Sequence, residues 1–168
     1  MLYLLFTEKM KYIKSYIIVS LFLIFFVTCK KDEDLSKTEL LTMKPWILKS
    51  VNVSPAIEIQ GQGSFIEIID YLYYPCEQDD LYIFKTNSIY SIEEGDSKCD
   101  PSSLVTLDMG NWSLNYNETT LTLVSNYYSY IIEKQLIELN KTEMNLQYQS
   151  YFDTLQTTLY TLNEIYSH

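Results

Sequence analysis

From Met144 the chain reads Met144-Asn145-Leu146-Gln147-Tyr148-Gln149, apolar and polar residues in strict alternation. A period of two places Met144, Leu146 and Tyr148 on one face of a strand and the amides on the other. Trp112, Leu114 and Tyr116 line one face of an earlier run against Asn111, Ser113 and Asn115, and Leu121 and Leu123 alternate with Thr120 and Thr122. Patterns of this kind predict eight strands, beginning near Trp46, Asp80, Ser88, Gly110, Thr119, Ser129, Glu143 and Thr154. From Gly110 onward the starts fall roughly ten residues apart, the spacing of an antiparallel meander. Asn87, Asn117, Asn126 and Asn140 each sit between two predicted strands. Asn tolerates the left-handed backbone of a tight hairpin, which matters in a chain with only four Gly.

Eight hairpin-linked strands leave bare edges unless the sheet closes. The expected fold is therefore all-β, an eight-stranded antiparallel up-and-down barrel, whose interior suits side chains or one small ligand. A two-sheet sandwich is the competing solution, and periodicity does not separate them. The segment from Ser54 to Asp79 is too long for a hairpin. Within it Phe65, Ile66, Ile69, Leu72 and Tyr73 recur at helical spacing, which predicts a short amphipathic helix over one barrel end. An edge strand is the alternative there, because Phe65-Ile66-Glu67-Ile68-Ile69 suits either. A second long connection runs from Glu94 to Met109.

The N-terminus is patterned differently. Ser15 to Thr28 is almost wholly apolar and follows Lys9, Lys11 and Lys14. It is too short for a hydrocarbon core of ~30 Å, which needs roughly 20 residues, and a basic flank before a short apolar run marks a secretory signal. The run stops at Cys29 in Phe26-Val27-Thr28-Cys29, which resembles a loose bacterial lipobox with Phe26 and Thr28 departing from its strict form. A buried core cysteine is the alternative reading. Initiation at Met10 would shorten the leader and keep Lys11 and Lys14 at its head. After the cysteine, Lys30-Lys31-Asp32-Glu33-Asp34 is too charged to bury apolar surface. The stretch resembles the short acidic export tags of Bacteroidetes lipoproteins. The expected organisation is a lipoprotein signal peptide over 1–28, a lipidated flexible tether over 29–43 and a barrel domain over 44–168.

Composition narrows the chemistry. The chain carries twelve Lys and no Arg, with a net charge of −10 that becomes −12 once the leader takes away Lys9, Lys11, Lys14 and Glu8. Nucleic acid is excluded as a partner, since its binding needs clustered cations. The single His is the C-terminal His168, so histidine catalysis and histidine-ligated zinc are excluded as well. No glycine-rich phosphate loop, zinc spacing or Ser-x-x-Lys in a helical setting is present. Glu77, Asp79 and Asp80, or Glu93, Glu94 and Asp96, offer oxygen ligands for calcium, but neither run has the spacing of an EF-hand loop. The expectation is a protein with no catalytic residues, no metal and no cofactor.

With Cys29 assigned to lipid, Cys76 and Cys99 remain. In an oxidising compartment a disulfide is the leading reading and a pair of free thiols the alternative. A bridge would close a loop worth about 3 kcal/mol by chain entropy. Sixteen Tyr complete the picture. Tyr71, Tyr73 and Tyr74 lie beside Cys76, and Tyr127, Tyr128 and Tyr130 flank a predicted turn. Such rings suit sugar stacking and interfaces, or simply fill a strand-rich core. The sequons Asn117-Glu118-Thr119 and Asn140-Lys141-Thr142 are read as coincidence in a bacterial chain.

The ordered set Leu40-Leu41-Thr42, Lys44, Trp46, Cys76-x-x-Asp79-Asp80, Phe84, Cys99-Asp100-Pro101, Gly110-x-Trp112-x-Leu114 and Leu121-x-Leu123 resembles the small lipocalin-like lipoproteins of the Bacteroidetes. The resemblance implies a calycin-type barrel, paired Cys76 and Cys99, and an outer-membrane lipoprotein facing the periplasm or the cell surface. It supplies no function, and the Gly-x-Trp pattern falls mid-chain, whereas lipocalins carry it on the first strand. Two functions are expected from different classes. One is a non-enzymatic barrel holding a small hydrophobic or amphipathic ligand among inward residues Trp46, Phe84, Trp112, Leu114, Leu123, Leu146 and Tyr148, with Leu159 also inward. The other is a surface module that binds protein or glycan through loops and Tyr clusters.

Overall fold

Alternation and hairpin chemistry produce one continuous antiparallel sheet in the computed structural model, which describes residues 34–102, 104–152 and 157–168. The signal segment, Cys29, residues 30–33 and the strand start expected at Thr154 lie outside the described residues. Nine strands occur among the described residues: β1 (Trp46–Ile59), β2 (Gly63–Glu67), β3 (Leu81–Phe84), β4 (Ile89–Glu93), β5 (Thr106–Leu114), β6 (Thr120–Ser125), β7 (Ile131–Leu139), β8 (Glu143–Tyr151) and β9 (Leu159–Ser167). Strands β3 to β9 follow one another as a meander. β9 then pairs with β1 from Ile47↔Ser167 to Ser54↔Thr161, and β1 meets β3 through Trp46↔Tyr82 and Ile47↔Leu81. The eight strands β1 and β3–β9 therefore close into the expected lipocalin-like up-and-down barrel. The sandwich is excluded because the sheet is continuous and returns on itself.

β2 stands outside that circuit. Gly61 and Gly63 adopt φ of 80° and 104°, the left-handed region that glycine tolerates, and turn the chain back on β1 so that Ile57 faces Phe65. Phe65 and Ile66 thus belong to an edge strand, the alternative reading of this segment. The expected helix shrinks to α2 (Ile69–Leu72), and Ile68 is buried beneath it; α1 is the earlier helix Lys37–Thr42.

Helix α1 corrects the boundary expected at Lys44. Ser36 and Glu39 form a reciprocal capping box, which satisfies orphan N–H groups in the first turn. Leu41 is 0% exposed, and its carbonyl accepts from Trp46 Nε1 at 3.0 Å. Lys37 Nζ donates to the Glu118 carbonyl at 2.6 Å. One well-placed leucine in a capped turn is enough to fold a segment whose charge otherwise reads as tether. The helix sits at the end of the barrel that holds the β3–β4, β5–β6 and β7–β8 turns, here termed the closed end. His168 lies over Trp46 with ring centroids 3.9 Å apart. The opposite, open end carries the long loops, with Cys76 and Cys99 bonded between two of them at a Cα separation of 5.2 Å.

The turns use Asn differently from the expectation. The left-handed residues are Ser88, Glu118 and Ser129, with φ of 64°, 53° and 54°. The amides act as acceptors instead: Asn140 Oδ1 takes N–H bonds from Thr142 and Glu143, and Asn115 Oδ1 takes them from Thr119 and Thr120. The apolar core fills the closed half, where Trp46, Phe84, Trp112, Leu121, Leu123, Leu136, Met144 and Leu146 are buried, and continues toward the open end through Val53 and Leu162. Gly110 is required there, because a methyl on it would overlap the Val124 carbonyl of β6.

Candidate functional site

Among the described residues, the pairing of β7 with β8 is incomplete. Their pairing runs from Leu139↔Met144 to Gln135↔Gln147 and stops, although both strands continue for several residues toward the open end. Strand polarity shows what this leaves bare. Leu136 N donates to the Thr119 carbonyl and Ser125 N to the Tyr130 carbonyl, so even-numbered residues of β7 turn their backbone groups to β6. Ile131 and Glu133 therefore turn theirs toward β8. Asn140 N donates to the Glu143 carbonyl, which by the same alternation points Gln149 and Tyr151 back at β7. A cleft of about 520 Å³ opens between these edges, with Ile131, Ile132, Glu133, Gln135, Gln147, Tyr148 and Gln149 as its walls.

Tyr148 leads from the cleft into a polar interior. Lys134 Nζ lies 4.8 Å from the centre of its ring and forms a buried ion pair with Glu164. Glu164 also accepts from Tyr166 Oη at 2.7 Å. Tyr73, on the loop after α2, is partly buried against the core. Its hydroxyl is pushed up to about 12, first by burial and then by the Glu164 charge. Burial followed by the same carboxylate raises the Tyr148 and Tyr166 phenols as well, so these hydroxyls stay neutral donors.

A second buried carboxylate organises the β6–β7 loop. Asp108 accepts from Ser125 Oγ at 2.6 Å, Tyr130 Oη at 2.7 Å, Tyr90 Oη at 2.8 Å and Met109 N at 2.8 Å. Burial pushes this carboxyl up, but the bonds from Ser125, Tyr130, Tyr90 and the Met109 amide outweigh it and hold it below the ordinary range. Ser125 Oγ in turn accepts from Tyr127 N and Tyr128 N at 3.2 and 3.0 Å. Tyr128 stacks on Tyr130 with centroids 6.0 Å apart and 5° between the planes. The loop is fixed from below, while Tyr127 and Tyr128 remain 53% and 66% exposed.

At the disulfide, Asp79 Oδ2 accepts from Ser97 N and Asp80 Oδ1 from Gly95 N. Asp80 is pushed up to about 6, by burial first, against the Gly95 hydrogen bond and with the charges of Asp79, Glu77 and Glu94 adding to it. Among the described residues no three His, Cys, Asp or Glu side chains are grouped to hold a metal ion. No described helix is long and apolar enough to cross a membrane.

The residues expected to touch a ligand divide sharply. Trp46, Phe84, Trp112, Leu123 and Leu146 are buried in the closed half, with Phe84 edge-on to Trp112 at 5.8 Å and Trp112 Nε1 donating to the Lys85 carbonyl. They pack on protein, as does half-buried Leu114. Of that set Tyr148 lines the cleft. Leu159 is 43% exposed and does not point inward. The inward positions of β9 are the even ones, Leu162, Glu164 and Tyr166, with Tyr160 also packed on the core, so strand alternation turns Leu159 outward. Lys134, Glu164 and Asp108 escaped the sequence reading because a charged residue at an inward position looks like a break in the pattern. Six exposed aromatics lie on the open-end loops, Tyr71 and Tyr74 after β2, Tyr127 and Tyr128 after β6, and Tyr151 and Phe152 at the end of β8, while Tyr116 is exposed in the β5–β6 turn at the closed end. The chain matches no protein-family model and no curated protein.

Proposed function

We propose that this chain is a non-enzymatic binding barrel of the lipocalin-like Bacteroidetes type, anchored to the outer membrane by lipid on Cys29 and facing the periplasm or the cell surface. Its ligand is a small amphipathic molecule. The observation that carries the reading is the cleft between the unpaired halves of β7 and β8. Its walls combine Ile131, Ile132 and the Tyr148 ring with amides, a carboxylate and bare strand edges. A purely apolar ligand would bury those polar groups without partners, at about 1–3 kcal/mol each. An amphipathic one satisfies them. Titrating the purified full chain with lauric acid and lysophosphatidylcholine, followed by tryptophan and tyrosine fluorescence, should give saturable binding of one molecule. Gln149→Trp, which fills the cleft from an exposed position, should abolish it. Binding that persists unchanged in Gln149→Trp would place the ligand elsewhere.

A second reading has its own support. Exposed aromatic side chains concentrate at the open end, and such clustering favours a surface that engages protein or glycan.

A further inference from the structure

The loop from Ser125 to Tyr130 reads Ser-Asn-Tyr-Tyr-Ser-Tyr and carries no charge. Its composition is that of recognition loops, where rigid aromatic rings supply contact area and small polar residues supply adaptable hydrogen bonds. Unlike most exposed loops it is held in place before any partner arrives. Asp108 anchors Ser125 and Tyr130, Ser125 holds the amides of Tyr127 and Tyr128, and Asn126 N donates to the Met109 carbonyl at 2.9 Å. Ser129 is fixed in the left-handed region at φ 54°. A buried carboxylate with four donors thus immobilises a loop whose outward product is two exposed tyrosine rings. Preorganisation of that kind lowers the ordering cost of binding.

Tyr130 is followed directly by Ile131, the first residue of the cleft wall. The aromatic loop therefore leads along the chain directly into the cleft wall. Within the cleft the polar contacts are mainly side-chain amides, and an amide both donates and accepts. Gln147 is oriented by its own bond from Nε2 to Asn163 Oδ1 at 2.8 Å, which leaves its carbonyl oxygen for another partner. Gln149 is exposed on the same wall. Hydroxyl groups are the complementary partner, since each of them also donates and accepts. A ring bearing several hydroxyls on its edge and C–H groups on its face fits amides on one side and a fixed tyrosine on the other.

We infer that the polar part of the ligand is a neutral saccharide, seated between the Tyr127–Tyr128 platform and the amides of the β7–β8 cleft. Glu133 on the cleft wall disfavours acidic sugars, and the loop offers no cation to pair with them. This inference rests on the cleft being the ligand site. The saccharide can be free or the head of a glycolipid.

The test uses the full chain in a detergent without sugar, titrated in parallel with neutral oligosaccharides of glucose, mannose, galactose and N-acetylglucosamine, with dodecyl maltoside below its micelle concentration, and with lauric acid. Binding is followed by calorimetry and saturation-transfer NMR. Saturable binding of an oligosaccharide is expected if the source is a free glycan. Binding of the glycoside alone among the sugars is expected if the source is a glycolipid. In either case Tyr128→Ala should weaken affinity by about tenfold or more, as loss of an exposed aromatic anchor does, while Tyr128→Trp retains it. The melting temperature should move little in either variant, because the largely exposed Tyr128 ring makes a single stacking contact, with Tyr130. Binding of lauric acid without any sugar overturns the saccharide assignment and leaves the amphipathic-ligand reading standing. Failure of every probe overturns both. Sugar binding that is indifferent to Tyr128→Ala and Gln149→Ala overturns the site.

Discussion

The Lys134–Glu164 pair is the place where the interior chemistry is most exposed to test. Glu164 is 1% exposed and sits on β9 within reach of Tyr166, while Lys134 crosses to it from β7. Replacing Lys134 with Met preserves the length and apolar stem of the side chain but leaves the buried carboxylate with the Tyr166 hydroxyl in place of a cation. Breaking a buried pair from one side costs about 3–5 kcal/mol, because the surviving charge is no longer compensated. Removing both charges is a different perturbation. In Lys134→Met/Glu164→Gln the amide oxygen still accepts from Tyr166, so the double variant should return to within about 1–2 kcal/mol of the parent. The four proteins of the cycle are compared by urea denaturation at neutral pH with the disulfide intact. A fall in midpoint at constant slope reports stability, and the coupling term isolates the pair. A cost below about 1 kcal/mol for Lys134→Met would mean that water reaches the pair as it does a surface ion pair, and the account of a dry polar interior behind Tyr148 would be wrong.

Three further outcomes follow from other parts of the molecule. Asp80 has a folded value near 6 against an ordinary 3.8, so the native state holds its proton more tightly than the unfolded chain and stability declines as pH rises from about 4 to about 6. Asp80→Asn should therefore be the more stable protein at pH 7, by at most about 3 kcal/mol, and lose that advantage by pH 4; an equal gain at both pH values would refute the assignment. Gly110→Ala should destabilise by several kcal/mol, about 3 or more, since the β5 and β6 backbones must part, and a melting temperature within a degree of the parent would contradict the close approach. Cys29→Ser should abolish palmitate labelling and leave uncleaved precursor, while the Cys76–Cys99 bridge still forms; continued labelling would remove the lipoprotein proposal.

Much of the barrel was legible because most strands have one apolar face. β8 alternates through Met144, Leu146 and Tyr148, and its start is read correctly at Glu143. Strands β3, β4 and β6 begin one residue after the expected positions. The failures share a cause. β5 begins at Thr106, four residues before the expected Gly110, because its first deeply inward side chain is Asp108, which a pattern of apolar positions cannot count. Helix α1 was hidden by its charges, although its contribution to the core is a single leucine. β2 was hidden by an apolar run that satisfies two periods at once, and the Gly61–Gly63 turn that decides between them lies outside that run. The cleft was illegible for a deeper reason. A register shift in β7 between Leu136 and Glu138 lies beside the last pair, Gln135↔Gln147, but no residue type announces it, and the splay is a relation between strands that only the closed barrel defines.

The distribution of polarity inside the barrel bears on what the protein does. Toward the closed end the interior is apolar and sealed by α1, Trp46 and His168. From the middle toward the open end, Asp108, Lys134, Tyr148 and Glu164 join buried Val53 and Leu162 in the interior. For stability alone, hydrophobic side chains of similar volume would serve at least as well as a buried ion pair. The charged residues do something that apolar ones would not. Asp108 fixes a loop whose rings face solvent, and the Lys134–Glu164 pair lies behind the splayed β7–β8 wall. Both costly features converge on the same side of the same end. A fold that was only a stable body on a tether would have no use for that convergence, whereas a binding site needs the rigid loop, the bare strand edges and the oriented amides together.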